Sequence, residues 1–158
     1  MFKRLLLLIS YLAVLGVGFA GGIYALPILI AQPAPLPAQI EQVAGAALYR
    51  GAFDPNLEAS DWLHWGAGEV WLSQDQIAFN GELAPGPDYR LYLSPVAINS
   101  AEEFLRHKAS LTLVGDVRGF DGFVLPLPTQ TDLSAQRSAV VWCESFGQFI
   151  SATTLQPL

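Results

Sequence analysis

Cys143, His64 and His107 are the soft and nitrogen donors available to the folded part of this chain, and Cys143 is its only cysteine. It sits in SAVVWCESFGQFI, after a tryptophan and inside a run that alternates like a strand. With no second cysteine, an intramolecular disulfide, an iron–sulfur cluster and a zinc–thiolate site are all excluded. Four uses of the thiol remain: an inert buried group, an intermolecular disulfide, a reactive thiol, or a ligand. Absence of C-x-x-C-H rules out covalent c-type haem. One cysteine and two histidines match the bare ligand count of a blue-copper centre, but no histidine follows Cys143, so that spacing is missing. The one methionine is Met1, and no metal set can be assigned.

His64 lies in SDWLHWGAG, behind Asp61 and between Trp62 and Trp65. Its reading on residue type is a surface or half-buried loop histidine. His107, in FLRHKA, belongs on the exposed side of a short helix and serves solubility. Ser60 and Ser145 lack the context of a nucleophile elbow. The carboxylates are scattered, with no pair spaced for glycoside hydrolysis. No classical catalytic constellation is present, so enzymatic activity is left open.

The compartment matters for a lone thiol, because cysteines outside the cytoplasm usually pair. Residues 5–26, LLLLISYLAVLGVGFAGGIYAL, carry no charge. At ~1.5 Å per residue they reach ~33 Å, enough for a bilayer core. Lys3 and Arg4 precede them, and the next charge is Glu41. The positive-inside rule then places the N-terminus in the cytoplasm and the rest outside, in the periplasm or beyond a single-pass cytoplasmic-membrane anchor. A signal peptide cleaved after Gly18-Phe19-Ala20 is the competing expectation, but the apolar run outlasts a secretory core. Gly18 and Gly22 form a GxxxG, a spacing common in membrane helices.

The elements that must hold Cys143 and His64 follow. Residues 1–31 form the anchor, with Pro27 marking a boundary or a kink in it. Residues 32–47 hold a proline-rich spacer, AQPAPLPAQ, and a short helix with apolar Ile40, Val43, Ala44, Ala47 and Leu48. Residues 48–158 form the domain. There ALYRGAF, GEVWLS, QIAFNGEL, YRLYLSP, SLTLVGDV, GFVLPL, SAVVWCE and QFISATTL read as strands between turn residues. The expected class is mainly β, an antiparallel sandwich or barrel behind one transmembrane helix. Ser100 with Glu103 forms a capping box opening a helix in AEEFLRHKA. Alternation places Val141, Cys143 and Ser145 on one face, and Val140, Trp142, Glu144 and Phe146 on the other. Pro85-Gly86-Pro87-Asp88 should be a fixed turn into the Tyr89 strand.

The chain carries −6 overall. Lys3 and Arg4 are two of its eight basic residues, so the remainder is more acidic still. Such a domain repels nucleic acid and has no basic stripe to bind it.

These pieces resemble the DM-thirteen domain, a small β-rich module described as an electron-transfer domain. It accompanies DOMON domains in animal proteins and stands alone behind a membrane helix in bacteria. The resemblance spans residues 48–155. It rests on Arg50-Gly51-Ala52-Phe53, Asp61-x-x-His64-x-Gly66-x-Gly68, Pro85-Gly86-Pro87-Asp88 and Tyr92-Leu93-Ser94. Gly115 and Gly119, Gly122 through Pro126, and Val140-Val141-Trp142-Cys143-Glu144-x-Phe146 with Phe149 complete it. INSAEEFLRHKASLTL departs from the pattern, so nothing carries over to His107. The resemblance implies a redox role for Cys143, as a free thiol or as ligand to a group such as haem, with His64 as its companion. The cofactor is haem or none, and the partners are the membrane and a redox protein. The alternative is a non-catalytic binding module with a structural cysteine.

Overall fold

Alternating strands bury one face each, and here two sheets close over a shared interior. The computed structural model describes residues 2–158; Met1, the first residue of the expected anchor, lies outside them. The chain begins with helix α1 (Phe2–Leu29) and a shorter helix, α2 (Pro37–Gly45). Strands β1 (Tyr49–Phe53), β2 (Gly66–Leu72), β3 (Gln76–Leu83) and β4 (Tyr89–Ser94) follow, then helix α3 (Ala101–His107). After it come β5 (Thr112–Val117), β6 (Phe123–Pro126), β7 (Ser138–Cys143), β8 (Gln148–Thr154) and β9 (Gln156–Pro157).

One sheet has the order β6-β3-β2-β1-β9, the other β5-β4-β7-β8. All pairings are antiparallel. The result is a sandwich, with Phe53, Val70, Leu72 and Phe79 of one sheet facing Leu91, Leu93, Val141 and Cys143 of the other. A helix covers each outer face. Ile40 and Val43 of α2 bury against Ala78 on the first sheet. Phe104 of α3 buries against Tyr92, Val140 and Trp142 on the second, its ring stacked on Trp142 at 4.1 Å. Ser100 caps α3, its hydroxyl accepting the Glu103 N–H.

All eight expected strands and the mainly β class are present. β9 was not anticipated: it is two residues long, contains a proline, and pairs only with Tyr49 and Arg50. Pro27 does not end α1, which continues two residues beyond it. The proline stretch also lies against the domain rather than standing free. The Gln32 N–H donates to the Arg118 carbonyl at 2.8 Å, and Pro35 packs beside Gly122.

Candidate functional site

Cys143 ends β7, the strand flanked by β4 and β8. Its register partner across β4 is Tyr89, the first residue after the Pro-Gly-Pro-Asp turn. That pairing brings the turn over the sulfur. The Cys143 S–H donates to the Pro87 carbonyl at 3.0 Å, and the residue is 2% exposed. The turn is tied down at its far side. The Glu144 N–H donates to the Asp88 carbonyl at 3.0 Å, and the Ser145 hydroxyl donates to the Asp88 carboxylate at 2.7 Å. Asp88 itself adopts φ 57°, a left-handed conformation.

Gly86 matters for a reason the sequence did not show. Its backbone does not use the left-handed region. A Cβ there would instead collide with the hydroxyl end of the Tyr89 phenol, 2.7 Å from Cζ and 2.8 Å from Cε1. The glycine leaves room for the Tyr89 phenol, which lines the same pocket as Cys143.

The alternation expected for this strand holds as far as β7 runs, to Cys143; Glu144, Ser145 and Phe146, also expected on its faces, lie in the turn beyond it. Val141 and Cys143 enter the interior between the sheets, and Val140 and Trp142 face α3. Glu144, awkward in the sequence, accepts the Tyr92 hydroxyl and the Lys108 ammonium, the latter at 2.7 Å. Burial alone would raise its pKa, but those two hydrogen bonds outweigh it and hold the carboxyl below its ordinary value. Burial and the Glu144 bond push Tyr92 up to about 12. Phe146 leaves both faces and stands 54% exposed beyond the strand.

Burial pushes the Cys143 thiol up, and the charges of Asp88 and Glu144 add to this. The backbone N–H groups of Phe146 and Ser145 pull the other way without reversing it. The thiol is therefore protonated at neutral pH. Tyr89 is raised too, first by burial and then by Cys143.

His64 reaches this end of the sandwich by a separate route. β2 begins at Gly66 opposite Leu83, the last residue of β3, and the Ala84 N–H donates to the Trp65 carbonyl at 3.0 Å. The chain entering β2 thus runs beside the chain leaving β3 for Pro85. Residues 61–64 form a tight turn. The Asp61 carboxylate accepts the backbone N–H groups of Leu63 and His64 at 2.7 and 2.8 Å. It also meets His64 Nδ1 at 2.9 Å. The hydrogen bond to His64 is the main cause of a lowered Asp61 pKa, followed by the Leu63 N–H. A carboxylate only accepts, so Nδ1 carries the hydrogen and Nε2 of the neutral ring keeps a lone pair.

The two expected residues share one pocket of about 370 Å³, with Tyr24, Pro87 and Phe146 among its other walls. A neighbouring pocket of about 670 Å³ shares Ile23, Gly86, Pro87, Tyr89 and Phe146 with it. Both are walled on one side by the last turns of α1. His107 lines neither.

The model of the family described as Electron transfer DM13 matches residues 58–155. The chain belongs to that family. No curated protein and no solved structure matches it. The match takes in both His64 and Cys143 of this DM13 chain, and it begins after α1, α2 and β1.

Sequence reasoning missed four contributors to the DM13 pocket. Pro87 acts through a backbone carbonyl, which residue type does not announce. Tyr89 was legible only as a strand residue, although its position right after Pro-Gly-Pro-Asp was a usable signal. Ile23 and Tyr24 were read as membrane helix alone. Haem does not fit this arrangement. The sulfur's hydrogen is held by Pro87 and the residue is 2% exposed below a tied turn, so the thiol is not presented as a ligand. Among the described residues no group of three or more His, Cys, Asp or Glu is placed to hold a metal ion.

Proposed function

We propose that this chain is a membrane-anchored, extracytoplasmic redox accessory domain, with Cys143 as the redox group and His64 beside it. The observation that supports this is convergence. The lone thiol and an oriented imidazole, far apart in sequence, line one pocket of a domain in an electron-transfer family. His64, held at Nδ1 by Asp61, can take up or return a proton at Nε2. The residues suit thiol–disulfide exchange with a partner protein. Cys143 gives up its proton, and its sulfur attacks the partner's disulfide. That S–S bond breaks as the mixed disulfide forms, and the departing sulfur takes the proton. At rest the thiol is protonated and donates to Pro87, so exchange requires residues 85–88 to lift. Lys3 and Arg4 put the N-terminus in the cytoplasm and the domain in the periplasm or outside.

Trapping in intact membranes tests this. Wild-type protein should yield a reducible adduct on a non-reducing gel, and Cys143→Ser should not. A thiol that labels only after denaturation, with no adduct, rejects the proposal. A Soret band in the purified protein rejects its haem-free form.

The burial of Cys143 favours a second reading, a binding module with a core cysteine. In that case Cys143→Ala lowers stability and leaves ligand or partner binding unchanged.

A further inference from the structure

Trp62 is 84% exposed, an unusual position for the largest apolar side chain. It is not on a loose loop. Trp62 and Leu63 are the two tip residues of the turn that Asp61 closes by accepting two backbone N–H groups. Leu63 and Phe146, both exposed, also border the pocket walled by Ala20, Ile23 and Tyr24 of α1. Three apolar side chains therefore project at one end of the sandwich, level with a known stretch of α1.

That level can be placed. α1 has 28 residues, or ~42 Å at ~1.5 Å per residue, against ~30 Å of hydrocarbon. Lys3 and Arg4 hold the cytoplasmic boundary, so the hydrocarbon is filled from Leu5 by ~20 residues. The outer boundary then falls at about Tyr24, a residue type favoured there. Leu63, His64 and Phe146 face Ala20, Ile23 and Tyr24. The remaining turn of α1 lines a pocket with Val117 and Phe120 of the domain, and its Pro27 is buried.

We propose that Trp62, Leu63 and Phe146 form a membrane-seated tip, lodged in the outer headgroup layer of the bilayer that α1 spans. This rests on the anchor reading and is independent of the redox chemistry. The occupant is lipid because the tip is continuous with the spanning helix at its boundary residues. A tryptophan also gains most there, its ring in the apolar fringe and its N–H in the wet layer. The domain is acidic, so charge does not draw it to the surface, and the seating should survive high salt.

The test uses the full chain in phosphatidylcholine vesicles, with brominated acyl chains as shallow quenchers and iodide as the aqueous one. The chain has four tryptophans, so the Trp62 signal is the difference between wild type and Trp62→Phe. The expected result is a difference signal quenched at least twofold by brominated lipid, shielded from iodide, and unchanged in 1 M salt. Phe146→Trp in the wild-type background, read as the difference from wild type, gives a second reporter if Trp62→Phe folds poorly, and it should behave alike. A difference signal open to iodide and blind to brominated lipid overturns the proposal. Carbonate extraction separates the two failures. If the chain stays with the vesicles, only the tip is wrong; if it is released, the anchor is wrong and the tip falls with it.

Discussion

The proton of Cys143 is held by an apolar surround and by one carbonyl acceptor, and both have measurable consequences. The native state binds that proton more tightly than the unfolded chain does. Stability therefore falls as pH rises above the ordinary thiol value of ~8.5 and continues to fall up to the raised native value. Cys143→Ala should flatten this slope below ~10, where tyrosines begin to contribute. Urea midpoints at stepped pH measure it, and a slope unchanged in the variant contradicts the assignment. Cys143→Ser should be mild, near 1 kcal/mol and at the low end of the ~1–3 kcal/mol for a buried hydroxyl, because Pro87 still offers an acceptor. Gly86→Val should cost more, ~1–3 kcal/mol, since its branch would overlap the Tyr89 ring. In a domain of this size that lowers Tm by roughly 4 °C per kcal/mol.

At the scale of elements, α3 is the clearest case of local signals agreeing with tertiary need. Ser100 and Glu103 mark its start in the sequence, and Phe104 fills the hollow over Trp142. Phe104→Ala should cost ~3–5 kcal/mol by chemical denaturation, in line with large aromatic truncations in cores. A loss under ~1 kcal/mol would mean that α3 is a loose cover. The strands were legible because period-two alternation is a local property of the chain. β7 is the best example: Val141 and Cys143 take one face and Val140 and Trp142 the other, as expected, although all six residues are buried, while Glu144, Ser145 and Phe146 fall in the turn beyond it. Which strands become neighbours was not legible, because β4 meets β7 through contacts remote in sequence. The same applies to the site. Cys143 and His64 were readable as types, but their approach depends on the chain entering β2 running beside the chain that leaves β3. The Pro87 carbonyl has no signature in residue type at all.

For the whole molecule, the first matter is α1. Retention through carbonate extraction and a chain that still contains residues 5–26 are the expected outcomes, checked by N-terminal sequencing of the membrane fraction. A mature chain starting at Gly21 would refute them. The stretch between α1 and β1 then has a consequence of its own. Pro27 is buried, Gln32 donates to Arg118, Pro35 lies on Gly122 and α2 is packed on the first sheet. No slack remains between helix and sandwich. With α1 in a bilayer, the domain cannot sweep a hemisphere of solvent as a head on a free leash would. It travels as a skiff, keel down, and its encounters become collisions in a plane. Their frequency is then set by copies per unit of membrane area and by lateral diffusion. Diluting the cells would leave it unchanged, and spreading the same number of copies over more lipid would slow it in proportion.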